Sequence, residues 1–218
     1  MKTIIFDMDG LMFDTEKMWL EAFILAGKEI GYELTSELHN KIMGTNKESQ
    51  TRILQEELGS DFPCEKFYYV HRNIMDEMIE KYGVSAKTGL IDLLNYLVDN
   101  NYTLAIASSN SEKVILNNLK LNEIDSNIFT VIVNGNMTTI GKPSPDIFLK
   151  TCELLRTNPK DVIVLEDSNN GIKAAYDAGC IPVLVPDINV ITEDSKQMAS
   201  VICKDLYEVL NMLKKQKL

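Results

Sequence analysis

The sequence predicts an α/β fold, a Rossmann-like parallel sheet core carrying an inserted all-helical domain. Three observations predict it. Short apolar, β-rich runs recur along the chain with helical periods between them. The first run, Lys2-Thr3-Ile4-Ile5-Phe6, leads straight into Asp7-Met8-Asp9-Gly10. And from Glu16 to about Ser85 the pattern is helical throughout, with no convincing strand. Strands that alternate with helices imply right-handed crossovers and a parallel sheet covered on both faces.

Taken in order, the run from Lys2 to Phe6 has no polar break after Thr3 and reads as a buried parallel strand. In the stretch that follows, Trp19, Ala22, Phe23, Ala26 and Ile30 mark one amphipathic helix, and Phe67, Val70, Ile74 and Met78 another. A helical insert of about seventy residues is too long for a simple crossover. Residues 15–85 are therefore expected to form a helical cap domain, and residues 1–14 with 86–218 a discontinuous α/β core. Leu90, Leu93, Leu94 and Leu97 form the next helical stripe, and Leu104-Ala105-Ile106-Ala107 the next strand. Val131-Ile132-Val133 is a third strand, followed by a stripe that includes Ile147, Cys152, Leu154 and Leu155. Val162-Ile163-Val164-Leu165 is the fourth, and Ile172, Ala175 and Ala178 precede a helix stop at Gly179. Pro182-Val183-Leu184-Val185 is the fifth, with Val201-Ile202-Cys203 a short sixth. The Lys214-Lys215-Gln216-Lys217 end is expected to fray.

Composition narrows the function. With 218 residues the chain can bury a real core, and its apolar (45%) and charged (25%) fractions are those of a soluble globular protein. The net charge of −10 disfavours a nucleic-acid polymer or an anionic membrane as partner, so an anionic substrate needs local cations or a metal. Cys64, Cys152, Cys180 and Cys203 are scattered, which argues against a zinc site or a disulfide framework. The start lacks a signal-peptide pattern and no run approaches membrane-spanning length, so a cytoplasmic protein with free thiols is expected. His39 and His71, the only histidines, stand among polar residues and are expected on helix surfaces, which argues against a Ser-His-Asp or Cys-His mechanism.

The polar clusters sit where strands should end. In open α/β sheets that edge binds ligands. Asp7 and Asp9 follow the first strand, Ser108-Ser109-Asn110 the second, Lys142 a loop beyond the third, and Glu166-Asp167-Ser168 the fourth. Each has a plainer reading alone: a turn at Asp-Met-Asp-Gly, an N-cap at Ser108 or Ser168, an exposed loop lysine, a solvated acidic loop. Four such coincidences at one edge are far less common than any one of them. Asp7, Glu166 and Asp167 together require a cation, and hard oxygen ligands without His or Cys suit Mg2+. Ser108 with its neighbouring backbone N–H groups, and Lys142 as a point charge, can hold phosphate oxygens. Such a set positions and neutralises a phosphoryl group.

The ordered motifs resemble the haloacid dehalogenase superfamily, in the branch with a helical cap after the first strand. They stand as Phe6-Asp7-Met8-Asp9-Gly10-Leu11 through Asp14-Thr15-Glu16, then Ser108, then Lys142 in Gly-Lys-Pro-Ser-Pro-Asp, then Leu165-Glu166-Asp167-Ser168 with Gly171. The resemblance implies Asp7 as nucleophile forming an aspartyl-phosphate, and Asp9 as general acid and then base. It implies Mg2+ held by Asp7, the Asp9 carbonyl and Asp167, with Glu166 a direct or indirect partner, and Ser108, Ser109 and Lys142 on the phosphoryl group. Dehalogenases lack the second Asp, so Asp9 argues against dehalogenation.

Within the superfamily the nearest patterns are sugar-phosphate and nucleotide phosphatases, including those acting on pseudouridine 5′-phosphate, and β-phosphoglucomutase. Where the mutase has a cap histidine and a lysine before the cap glycine, this chain has Trp19 and Met43 before Gly44, neither of which relays a proton or carries charge. Lys47 matches a mutase arginine that grips a distal phosphate. Trp19 and Met43 are read either as cap core or as an apolar wall for the substrate. Thr15, Trp19, Met43, Gly44, Lys47 and Asn110 are the implied substrate contacts. In Ala86-Lys87-Thr88-Gly89, Thr88 replaces the proline usual at the cap's return, a matter of hinge stiffness. The expected activity is Mg2+-dependent hydrolysis of small phosphate monoesters by a monomer. The alternatives are a phosphohexomutase and, in another class, a non-enzymatic phospho-accepting signalling module.

Overall fold

The computed structural model describes residues 2–42, 47–188 and 190–218, with only the backbone of Glu16 and Ser49. The chain divides into two compact units, Met1–Asp14 with Ser85–Leu218, and Thr15–Val84.

Strand β1 (Thr3–Phe6) is buried at every residue. The helical unit follows, with α1 (Glu16–Ile30), α2 (Ser36–Ile42), α3 (Lys47–Leu58) and α4 (Cys64–Tyr82). Its core joins Phe23, Ala26, Leu38, Ile42, Leu54 and Phe67, with Trp19 and Ile74 packed against it. Gly31 ends α1 at φ 88°, the left-handed conformation that glycine adopts without steric cost.

His39 and His71 correct the sequence reading. They are 0% and 7% exposed, inside this core rather than on its surface. Helical phase overrides their polar neighbours: His39 lies three residues before buried Ile42, and His71 four residues after buried Phe67.

The chain then completes the α/β unit with α5 (Leu90–Asp99), β2 (Thr103–Ala107), α6 (Glu112–Leu121), β3 (Phe129–Val133), α7 (Asp146–Leu155), β4 (Val162–Glu166), α8 (Asn169–Asp177), β5 (Ile181–Leu184), α9 (Glu193–Met198), β6 (Val201–Ile202) and α10 (Leu206–Lys214). The six strands pair in the order β3-β2-β1-β4-β5-β6. Every neighbouring pair is parallel. One core cluster joins Ile5, Ala105, Val133 and Val164 of the sheet to Ile147, Phe148 and Cys152 of α7 and to Ala174 and Ala175 of α8. Leu154, expected on the buried stripe of α7, is 42% exposed, because the buried face runs through Ile147, Phe148, Thr151 and Cys152 to Leu155 and Leu154 lies at its edge. The four cysteines are free and buried, as composition predicts.

Candidate active site

The strand order builds the site. β1 lies between β2 and β4, so the residues that follow these three strands are brought side by side. The ladder runs one residue past the strands: Asp7 N donates to Leu165 O at 3.0 Å, and Ser108 N to Val133 O at 3.1 Å. Asp7, Ser108 and Glu166 thereby stand at one edge on rigid backbone.

After Asp7 the chain folds tightly on itself. Met8 O accepts from Met12 N at 2.9 Å and Phe13 N at 3.1 Å, while Gly10 N donates to Phe13 O at 3.0 Å. Gly10 has φ 75°, which admits this turn. Asp9 pairs with Phe13 through a parallel bridge. The Asp9 carboxylate accepts a hydrogen bond from Asn110 Nδ2. Asn110 N in turn donates to Ser108 Oγ at 3.1 Å, and Ser108 is fully buried. Ser109 is exposed, and its carbonyl lies so near Gly135 that a Cβ there would stand 2.1 Å from it.

Lys142 closes the cluster. Its buried ammonium donates to Asp7 Oδ1, to Glu166 Oε1 at 2.6 Å and to Ala107 O at 3.4 Å. Burial by itself would lower this lysine's pKa, but the charges of Asp7 and Glu166 outweigh it and hold the ammonium above the ordinary range. Burial pushes the Asp7 carboxyl up to about 8, with Lys142 opposing the rise and Glu166 and Asp9 adding to it. The other Glu166 oxygen, Oε2, accepts from Asp167 N and Ser168 N, both at 2.9 Å, and from Ser168 Oγ at 3.0 Å.

Carboxylate oxygens of Asp7, Glu166 and Asp167, all buried, lie within 4.8 Å of one another. Burial is the main cause of the raised Asp7 carboxyl and the charges of Glu166 and Asp9 add to it, so a bound cation would favour its ionised form. An all-oxygen set of this kind fits a hard divalent cation such as Mg2+.

The remaining sequence candidates belong to the helical unit. Thr15 is buried just before α1, and its carbonyl accepts from Trp19 N at 2.8 Å. Trp19 is half-buried, with His71 at 4.3 Å, His39 at 5.2 Å and Phe23 at 6.2 Å between ring centroids. Lys47 lies 3.2 Å from Glu65 and 5.0 Å from the Tyr68 ring centroid. Met43 and Gly44 fall outside the described residues. Sequence reasoning missed two arrangements. The Asn110–Asp9 hydrogen bond joins residues 101 apart. Lys87 bonds Asp187, exactly a hundred positions away, with no motif to signal the pair.

The haloacid dehalogenase-like hydrolase family profile matches residues 4–185, from β1 through β5. The chain belongs to this family. It is 32% identical over 183 residues to the phosphorylated carbohydrates phosphatase of Thermotoga maritima, a match covering 82% of each chain. It is 28% identical over 191 residues to the β-phosphoglucomutase of Bacillus subtilis, covering 84% of this chain and 82% of the relative. A solved Thermotoga maritima structure, described as a candidate β-phosphoglucomutase, superposes with TM-score 0.78 at 29% identity and covers 99% of both chains. The α/β fold read from the sequence is thus the fold of this family. Among the described residues, no helix is long and apolar enough to cross a membrane.

Proposed function

We propose that this haloacid dehalogenase-like hydrolase cleaves small phosphate monoesters, phosphorylated sugars foremost, through an aspartyl-phosphate on Asp7. One observation carries the reading: a buried Asp7 carboxylate bonded to Lys142, beside Glu166 and Asp167, with Asp9 two residues away and bonded to Asn110. The family likeness and the phosphorylated carbohydrates phosphatase among the relatives support it.

In this mechanism an Asp7 oxygen attacks phosphorus, and the bond from phosphorus to the ester oxygen breaks. Asp9 gives that oxygen its proton. Asp9 then takes a proton from water as the water attacks phosphorus, and the bond from phosphorus to Asp7 breaks. Ser108 and Lys142 hold the phosphoryl oxygens, with Ser109 offering backbone N–H. Asp7, Asp167 and the Asp9 carbonyl would hold Mg2+, which supplies charge neutralisation to the transferring group. Both Glu166 oxygens are engaged by protein donors, so its part is to fix Lys142 and the Asp167 loop. Trp19 and Met43 stand in the sequence where the mutase pattern has a histidine and a lysine, and neither relays a proton, which favours water over a second hydroxyl as acceptor.

The test is a screen of sugar phosphates and nucleotides with Mg2+ or chelator, alongside Asp7→Asn. Release of free phosphate, abolished by Asp7→Asn and by chelator with folding intact, is the expected result. Residual hydrolysis by Asp7→Asn would reject Asp7 as nucleophile. Conversion of β-glucose 1-phosphate, with a trace of bisphosphate, to glucose 6-phosphate without phosphate release would mark a mutase. A phosphoenzyme lasting minutes to hours with no turnover would mark a signalling module.

A further inference from the structure

The chain leaves the α/β unit after Asp14 and re-enters it at Ser85. These two crossings pair with each other. Asp14 N donates to Ser85 O at 2.9 Å, Lys87 N donates to Met12 O at 2.8 Å, and Phe13 bridges Ala86 in antiparallel fashion. The re-entering segment is thus bridged along the turn that follows Asp7. That same turn carries Asp9, because Phe13 is the bridge partner of Asp9 on one side and of Ala86 on the other.

Lys87 ties this ribbon to the sheet. Its ammonium bonds Asp187 Oδ1, on the segment after β5, and lies 3.8 Å from Asp14 Oδ1. The Lys87 side chain is 23% exposed and that of Asp187 8%, so the pair is largely withdrawn from water. Asp187 Oδ2 is buried with no hydrogen-bond partner. A carboxylate in that position holds its cation firmly, since losing it leaves a buried charge uncompensated. Asp187 is anchored in turn by the sheet: Val185 N, two residues before, donates to Glu166 O at 2.7 Å.

The geometry points to Lys87, clamped by Asp187, as a positioning residue for Asp9. Through Met12 and Phe13 it fixes the turn on which the Asp9 carboxyl is presented to the ester oxygen. This rests on the proposed acid role of Asp9, and the experiment separates the two.

General-acid help matters most when the leaving group is a poor one. An alkyl phosphate must have its leaving oxygen protonated, whereas p-nitrophenolate departs without it. Lys87→Met is therefore expected to lose on the order of tenfold more kcat/KM on an alkyl phosphate than on p-nitrophenyl phosphate. Asp187→Asn, which removes the buried charge and should fold normally, is expected to show the same selectivity in weaker form. Lys87→Arg is expected to restore most of the alkyl phosphate rate, because it keeps the ion pair. Asp9→Asn sets the reference signature, the largest loss being on the alkyl ester. Equal losses on both esters in Lys87→Met and Asp187→Asn, with Asp9→Asn still discriminating, would overturn the clamp alone. An Asp9→Asn variant that does not discriminate would overturn the acid role of Asp9, and the clamp with it.

Discussion

Gly171 shows how one residue's lack of a side chain can be a condition for chemistry several atoms away. It lies in the first turn of α8, where its N–H donates to Ser168 Oγ at 3.1 Å. A Cβ on Gly171 would stand 1.7 Å from Glu166 Oε1 and 1.8 Å from Glu166 Cδ. Glycine inside a helix ordinarily costs about 0.5–1 kcal/mol relative to alanine, so intrinsic preference alone favours Gly171→Ala. The space is already taken by the carboxylate that holds Lys142 and the Asp167 loop. Gly171→Ala should displace Glu166, and Lys142 with it, lowering kcat/KM on the order of 100-fold, the scale of an ångström's misplacement in a site. It should also lower stability by about 1–3 kcal/mol through overpacking, measurable by urea unfolding. Wild-type kcat/KM in this variant would show that Glu166 relocates without consequence. The LEDSNNG motif was legible in the sequence as an acidic loop and helix start. That both oxygens of its glutamate are used by protein donors was not legible, because it depends on a lysine 24 positions away.

The helices of the Thr15–Val84 unit carry the other feature that pattern reading misjudged. His39 on α2 and His71 on α4 flank Trp19 on α1, so three elements meet around two imidazoles. Neither nitrogen of His39 finds a partner of good geometry, while His71 Nε2 lies 3.4 Å from Trp19 O. Burial pushes each imidazole down to about 4, Asn40 opposing it at His39 and the Trp19 carbonyl at His71, while His39 and Arg72 add to it at His71. The folded values lie below the unfolded 6.5, so the unfolded chain takes up protons that the folded one refuses. Stability of this unit should hold above pH 6.5 and fall steadily toward pH 4, by about 3 kcal/mol for each histidine. Trp19 is the sole tryptophan, so its fluorescence during urea unfolding at stepped pH reads this unit directly. His39→Leu should be at least as stable at pH 7 and should flatten the slope. An unchanged slope in that variant would remove His39 from the account. The sequence did hold the phase signal, since Phe67, His71, Ile74 and Met78 share one helical stripe. Polar neighbours outweighed it, because residue type reports exposure on average while phase reports it at a position.

Across the whole molecule, sequence legibility followed the range of the interaction. Five strands were readable to within two residues at either end, because an uninterrupted β-branched run has few other uses. β6 shrank to Val201–Ile202, at the sheet edge, where a short run has only one neighbour to define it. The side-by-side placement of Asp7, Ser108 and Glu166 followed from α/β topology, but the Lys87–Asp187 pair follows from packing that no local pattern encodes. The same scale carries the last prediction. A chain of net charge −10 gathers Asp7, Asp9, Glu166 and Asp167 at one sheet edge around the buried Lys142 ammonium, and its substrate brings further negative charge. A divalent cation bound there binds the folded state and not the unfolded one. It should therefore stabilise by about 2.7 kcal/mol at a hundredfold excess over its Kd. At roughly 2–4 °C per kcal/mol for a chain of this size, Mg2+ should raise the calorimetric Tm by about 5–10 °C, and chelator should reverse the rise. Asp167→Asn should lose the response while keeping the fold. An equal rise in Asp167→Asn would place the cation elsewhere, and none in the wild type would leave Lys142 to neutralise the phosphoryl group.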